Sequence, residues 1–167
     1  MFRYYFFAII TAPGVVVHEI GHALFCLLAG VKIHHIKFFQ FKQTAGYVIH
    51  DEPKNIFASI TISFGPLIIN SFLTLLCFAH LNAPYFTWLN LLFAWLALAV
   101  GLHAIPSTGD AQTLLSITNH RFWRNPFVIV AYPFALILYL LNLLKRLHAD
   151  VVYVLLLFWL ARFYFKA

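Results

Sequence analysis

Long apolar runs are the feature that most restricts how this chain can fold. A helix that crosses a bilayer needs about 20 mostly apolar residues. Five runs approach or exceed this length, at residues 4–31, 56–79, 85–105, 127–144 and, shorter than the others, 151–165. Only 10% of the residues are charged, whereas a soluble domain has about a quarter. We therefore expect one domain over residues 1–167, an all-α polytopic membrane protein with about five membrane helices.

The positive charges lie between the apolar runs. The net charge of +6 does not indicate nucleic-acid binding, because the cations are scattered in the manner of membrane-edge residues. If all five runs cross, eight Lys and Arg residues share one side with the 32–54 and 106–126 connections, and three lie opposite. The positive-inside rule then places those connections in the cytoplasm. If the last run is tilted or interfacial, the count becomes six against five. We expect a multi-pass protein of the inner membrane of a prokaryotic cell.

The connection after the first run has the composition of a β-hairpin. Residues 31–53 are rich in β-branched and aromatic side chains, and "KQTAG" (42–46) supplies turn residues before "YVIH". This pattern predicts a small membrane-associated β-hairpin. An amphipathic interfacial segment is the alternative.

The first run contains a polar island, "HEIGH". His18 and His22 are four residues apart, so on a helix they face the same way and could bind one zinc ion. Glu19 lies beside that face, where it could take a proton from a zinc-bound water. The alternative is two core histidines with a buried ion pair. A carboxylate at membrane depth costs about 2.5–3.5 kcal/mol, and no flanking residue offsets that cost, which favours a metal. Gly21 leaves room for another backbone or a substrate.

A third zinc ligand has to come from elsewhere, because catalytic zinc has three protein ligands and one open position. The chain has five acids. Glu19 is already assigned as the base. Asp51 and Glu52 lie in the hairpin connection, and Asp150 is expected on the other side of the membrane. Asp110 remains, next to the helix breakers Pro106 and Gly109, in a region where residue 107 or 108 could cap a short helix. His103 is the alternative ligand.

Asn70 follows the Gly65-Pro66 pair, which is expected to kink the second run. An amide in lipid seeks a hydrogen-bond partner, so Asn70 could simply link helices. It could also donate to a substrate or to the oxyanion of a tetrahedral intermediate. The two cysteines, Cys26 and Cys77, have no metal-binding spacing and are expected to be reduced packing residues.

Four segments in order carry a family resemblance: "HEIGHALFCLLAGVKI", "AGYVIH", "SFGPLIIN" and "PSTGDA". Together they resemble the site-2 protease family of intramembrane zinc metalloproteases over roughly residues 13–115. The resemblance implies an HExxH helix, a β-hairpin, a Gly-Pro span with a downstream Asn, and a span whose Asp completes the zinc site. Residues 127–165 would then be accessory helices.

Transferred to this sequence, the resemblance implies that His18, His22 and Asp110 are the Zn²⁺ ligands and that Glu19 is the general base. It also favours a substrate-contacting role for Asn70. The substrate would be a membrane protein or peptide. The sequence departs from the family around Asp110, which follows Gly109 and precedes Ala111, whereas the family has Leu before and Gly after this Asp. We expect a minimal divergent member without a PDZ or CBS domain.

Two other functional classes stay open. A non-catalytic membrane metal-binding or transport protein would need further ligands along a path, and residues 127–144 offer none. A catalytically inactive scaffold would be expected to lose Glu19, which is present. The sequence identifies neither the substrate nor the oligomeric state.

Overall fold

The computed structural model describes residues 2–41, 45–81 and 87–165, and these are mostly helical. The helices are α1 (Phe2–Ile10), α2 (Ala12–Leu28), α3 (Ile56–His80), α4 (Trp88–Gly101), α5 (Thr108–Phe122), α6 (Ala131–Lys145) and α7 (Ala149–Tyr164). A 3-10 turn at Pro126–Val130 leads directly into α6. Two strands, β1 (Ile33–Lys37) and β2 (Tyr47–His50), lie between α2 and α3.

The predicted hairpin is present as a two-stranded antiparallel sheet. Ile36 pairs with Val48 and Lys37 pairs with Tyr47. At its base, Nε2 of His34 lies 2.6 Å from the carboxylate of Asp51, and this hydrogen bond lowers the pKa of the exposed Asp51 below its usual range. Residues 42–44 of the predicted turn lie outside the described residues.

The expectation of five spans is supported for only two helices. Among the described residues, α3 and the continuous segment Pro126–Lys145 are long and apolar enough to cross a membrane. The helices α2 and α4 are apolar but have only 17 and 14 residues. At 1.5 Å per residue they are about 26 and 21 Å long, less than a hydrocarbon core of about 30 Å. The last run forms α7, with 16 residues.

Local breaks explain why the helices are shorter than the apolar runs. The first run is divided at Thr11, since Pro13 in the first turn of α2 has no N–H with which to continue α1. The third run gives α4, which begins after a capping box formed by Thr87 and Asn90. The predicted turn at residues 79–85 falls largely outside the described residues.

Two glycines bring α2 against its neighbours. A Cβ on Gly21 would lie 2.8 Å from Cα of Pro66 in α3, and one on Gly14 would lie 1.9 Å from the carbonyl oxygen of Ala99 in α4. Neither position tolerates a side chain without movement of the helices. The room that Gly21 leaves is therefore taken by the α3 backbone. Since α3 also contacts α5, α6 and α7, it is the central helix of the fold.

The outer surface is strongly apolar. Large hydrophobic side chains are exposed along α4, α6 and α7, among them Trp88, Leu92, Leu136, Leu140, Leu155 and Trp159. Water-soluble monomers rarely expose contiguous apolar surface on this scale. Such a surface is typical of contact with lipid or with another protein.

Candidate metal centre

Three metal-ligating side chains meet where α2 faces the beginning of α5. Their ligand atoms, from His18, His22 and Asp110, all lie within 4.8 Å of one another. Nε2 of His22 is 3.1 Å from Oδ1 of Asp110, and Nε2 of His18 is 3.7 Å from Oδ2. The structure thus brings together the two imidazoles of the HExxH motif and the aspartate selected from the sequence.

Backbone carbonyls orient both imidazoles. Nδ1 of His18 lies 2.8 Å from the carbonyl oxygen of His103, and Nδ1 of His22 lies 2.9 Å from that of Ile62. A carbonyl oxygen only accepts hydrogen bonds, so each Nδ1 is the protonated donor. Nε2 of each ring therefore faces Asp110 and is the nitrogen that could bind a metal. Metal-binding histidines usually donate their other ring N–H to a carbonyl or carboxylate in this way, which fixes both tautomer and ring orientation.

Interruptions of helical hydrogen bonding make these two carbonyls available. Pro66 has no N–H, so the carbonyl of Ile62, four residues earlier, has no helical partner in α3. It accepts the bond from His22 instead. His103 follows the C-cap Leu102 of α4, where helix carbonyls also lack a partner. The helix α3 continues through Pro66, so the local effect of this proline at the site is a freed acceptor.

The first turn of α5 orients Asp110. The backbone N–H and the hydroxyl of Ser107, its N-cap, donate to Oδ2 of Asp110 at 2.6 and 2.8 Å. The N–H of Asp110 donates back to the Ser107 hydroxyl. Oδ1 is left facing His22. Burial raises the pKa of Asp110, but the adjoining imidazoles outweigh it and hold the pKa below its usual range.

The donor set fits a zinc ion. Two ligands placed 2.0–2.1 Å from one tetrahedral zinc lie about 3.4 Å apart. The two nitrogen–oxygen separations, 3.1 and 3.7 Å, bracket this value, and all three ligand atoms lie within 4.8 Å of one another. Two imidazole nitrogens and one carboxylate oxygen also leave a fourth position for water or substrate, as in catalytic zinc sites.

Glu19 lies beside this group and is 7% exposed. It is not one of the three clustered ligands. The hairpin packs closely against Glu19. A Cβ on Gly46 would lie 2.7 Å from Cγ and 2.9 Å from Oε1 of Glu19. The absence of a side chain at position 46 is what makes space for the carboxylate.

A cavity of about 640 Å³ opens onto the clustered side chains. Its walls include the three candidate ligands, Glu19, β2 and Lys145 from the end of α6. His103 also lines the cavity, but its Nδ1 donates to the carbonyl of Ala99 in the preceding helix, α4. Its ring lies outside the three-residue group, so the structure favours Asp110 over His103 as third ligand.

Asn70 lies away from the cavity. It is fully buried, and its Nδ2 donates to the carbonyls of Gly14 in α2 and Val100 in α4, at 3.2 and 3.0 Å. These bonds match the helix-linking alternative for this residue. Its Oδ1, like the hydroxyl of Thr74 one turn later, has no partner among the described residues.

Two residues of α6 support the site, and the sequence pattern did not reveal them. Nδ2 of Asn142 donates to the carbonyl of Pro106 at 2.9 Å, and Nζ of Lys145 donates to that of Ile105 at 2.6 Å. Together they fix the loop that leads into α5 and hence Asp110. The sequence features that could have identified them are the amide of Asn142 within the apolar run 127–144 and the positive charge of Lys145 just after it.

The assembled site combines a fixed two-nitrogen, one-oxygen donor set with a nearby carboxylate outside that set. It is therefore equipped to bind a divalent metal and to move a proton next to it. None of the protein-family models, curated proteins or solved structures compared with this chain matches it.

Proposed function

We propose that this protein is an intramembrane zinc metalloprotease, similar to the site-2 proteases, that hydrolyses peptide bonds of membrane-embedded or membrane-proximal substrates. The observation that carries the proposal is the geometry of His18, His22 and Asp110. Both imidazoles present Nε2 to one carboxylate while backbone carbonyls hold Nδ1. A pair of ordinary core histidines would not need this arrangement.

In the proposed reaction, three residues bind zinc and a fourth transfers protons. A zinc ion bound by the three ligands supplies Lewis acidity and a water acidic enough to ionise near neutral pH. Glu19 takes the proton of the attacking water and passes it to the leaving amine. Its position supports this role, because it borders the cavity beside the ligands and is not among them. Ser107, Asn142 and the two carbonyls act indirectly by holding the ligands.

The proposed membrane location is supported by the two long apolar helices and by the large hydrophobic side chains exposed on α4, α6 and α7. In the proposed topology all five apolar runs interact with the bilayer, the shorter helices within a locally thinned or water-accessible region. The connections 32–54 and 106–126 face the cytoplasm of a prokaryotic cell. Water reaches the metal site through the cavity. Lys145, which the charge count places on the opposite side, lines this cavity and donates to the carbonyl of Ile105, so the end of α6 lies at the depth of the metal site.

The hairpin is the proposed binding surface for an unwound substrate. Strand β2 pairs with β1 on one edge, and its residues also line the cavity. An extended peptide added to the sheet would therefore run past the metal site. Ile49→Pro, in the part of β2 that lines the cavity, should reduce cleavage of a membrane substrate while leaving the metal content unchanged. Unchanged cleavage would argue against strand addition.

Metal analysis beside activity tests the assignment. Wild type and Glu19→Gln should each hold about one zinc per chain, whereas His22→Ala and Asp110→Ala should lose it. All three variants should lose cleavage of a membrane substrate. His120→Ala, which removes an exposed histidine at the end of α5, is the matched control and should keep both properties.

Two results would refute the proposal in different ways. Full zinc content in both ligand variants would show that the ion is not bound here. Zinc lost in the ligand variants, with no cleavage by wild type of any membrane substrate, would favour the alternative of a non-catalytic metal-binding or transport protein.

A further inference from the structure

We propose that the chain has a second binding site, for the headgroup of an anionic phospholipid, where its two longest apolar helices begin. A cavity of about 760 Å³ lies between residues 54–57 and 124–130. The first segment starts α3 and the second starts the span Pro126–Lys145. Both spans enter the membrane at this level, so the cavity lies at its boundary. The inference rests on the proposed membrane location and not on proteolysis.

The cavity carries uncompensated positive charge. Lys54, Arg121 and Arg124 line it, and no acidic residue does. Arg121 is held by Glu52, with its Nε 2.7 Å from Oε1, and by the carbonyl of Pro53. The side chains of Lys54 and Arg124 make no hydrogen bond or ion pair with other described residues. Two cations are therefore left to bind an anion.

The start of α3 adds to this positive potential. Asn55, its N-cap, accepts a hydrogen bond from the N–H of Ala58, and the first turn contains no acidic residue. The remaining first-turn N–H groups, at residues 56 and 57, have no helical partner. They point in the direction of the helix N-terminus and favour an anionic group there.

Apolar side chains adjoin the cations, and this favours a lipid over a free anion. Phe57 and Phe127 are 67% and 82% exposed, and both line the cavity. Trp123, next to Arg124, is 89% exposed, as is typical of aromatic residues at a membrane interface. A phosphodiester between Lys54 and Arg124 would leave its acyl chains against the two phenyl rings.

The leaflet in which this cavity is expected to lie, the cytoplasmic one, contains anionic lipids. Lys54, Arg121 and Arg124 belong to the connections that the positive-inside rule assigns to the cytoplasm. The cytoplasmic surface carries anionic lipids, and basic pockets between membrane helices bind their headgroups.

Native mass spectrometry of the full chain in a neutral detergent tests the site. Dioleoyl-phosphatidylglycerol is titrated against dioleoyl-phosphatidylcholine, which has the same acyl chains and no net charge. Wild type should bind one phosphatidylglycerol in preference. Lys54→Gln with Arg124→Gln should weaken that binding about 30-fold, since each surface cation contributes about a fivefold factor. Lys37→Gln with Arg146→Gln removes the same charges elsewhere and should leave it within about twofold of wild type.

Three results would overturn the inference: equal binding of both lipids, equal loss in the control pair, or full competition by inorganic phosphate, which would indicate an anion site that does not recognise lipid. Zinc content, measured on every variant, shows whether the fold persists. His22→Ala should lose zinc and keep the lipid, so failure of the protease assignment and failure of the lipid site give different results.

Discussion

Adding one methyl group at Gly46 tests the contact between the hairpin and the proposed general base. A Cβ there would lie 2.7 Å from Cγ of Glu19 and 2.9 Å from the carbonyl oxygen of Phe38. Carbon atoms in contact are about 3.5–4.0 Å apart, so the carboxylate or the hairpin has to move by about 1 Å. None of the three candidate ligands on α2 and α5 is among the three atoms nearest to the new methyl group.

Gly46→Ala should therefore separate catalysis from metal binding. A displacement of about 1 Å at a catalytic group can cost about 100-fold in rate, and overpacking lowers the free energy of unfolding by about 1–3 kcal/mol. We expect kcat/KM for a membrane substrate to fall by about 100-fold while the zinc content stays that of wild type.

Gly109→Ala is the matched control. It lines the same cavity, but its new Cβ would meet only the Ser107 hydroxyl, at 3.4 Å. This substitution should leave cleavage intact and stabilise α5 by up to about 1 kcal/mol. Wild-type kcat/KM in a zinc-loaded Gly46→Ala protein would refute the idea that the hairpin positions Glu19 for proton transfer.

Three further substitutions test the supports of the site. Ser107→Ala removes the two hydrogen bonds between the Ser107 hydroxyl and Asp110 and should weaken zinc binding by about 10- to 100-fold in a chelator competition; unchanged affinity would mean that this hydroxyl does not position the carboxylate. Asn142→Ala leaves the carbonyl of Pro106 without this donor and should lower the free energy of unfolding by about 1–3 kcal/mol in a denaturant titration, an effect absent if water replaces the amide. Gly21→Ala forces α2 away from α3, so thermal stability and zinc content should fall together, and a protein that retains both would contradict the close helix contact.

Part of the site could be read directly from residue types and spacing. A helix places His18 and His22 on one face whatever its tertiary contacts are. Asp110 could be selected because acids are so scarce in this chain. The hairpin followed from its β-branched residues and turn signal. Ser107 and Thr108 were both candidate caps, and Ser107 is the one observed. These inferences depend on local chemistry, which a single sequence carries.

The lengths of the helices could not be predicted in the same way. A continuous apolar run has no polar residue to mark where a helix ends, so runs of 20 or more residues overestimated α2 and α4. The carbonyls of Ile62 and His103 were also hidden, because every residue has a carbonyl and only the fold determines which ones lack a helical partner. Asn70 was ambiguous because an amide serves equally well for linking helices and for binding substrate.

Interruptions of helical hydrogen bonding build the metal site. Had α4 continued past Gly101, the carbonyl of His103 would bond within the helix and would not orient His18. Had α5 not begun at residue 108, its capping box would not fix Asp110. Had position 66 carried an N–H, Ile62 would share its carbonyl between α3 and His22. In a membrane interior, unpaired backbone groups are tolerated where they line a cavity or find another partner. Here two of the freed carbonyls find their partners in the histidines of the motif, so the irregular helices and the ordered donor set have a common origin.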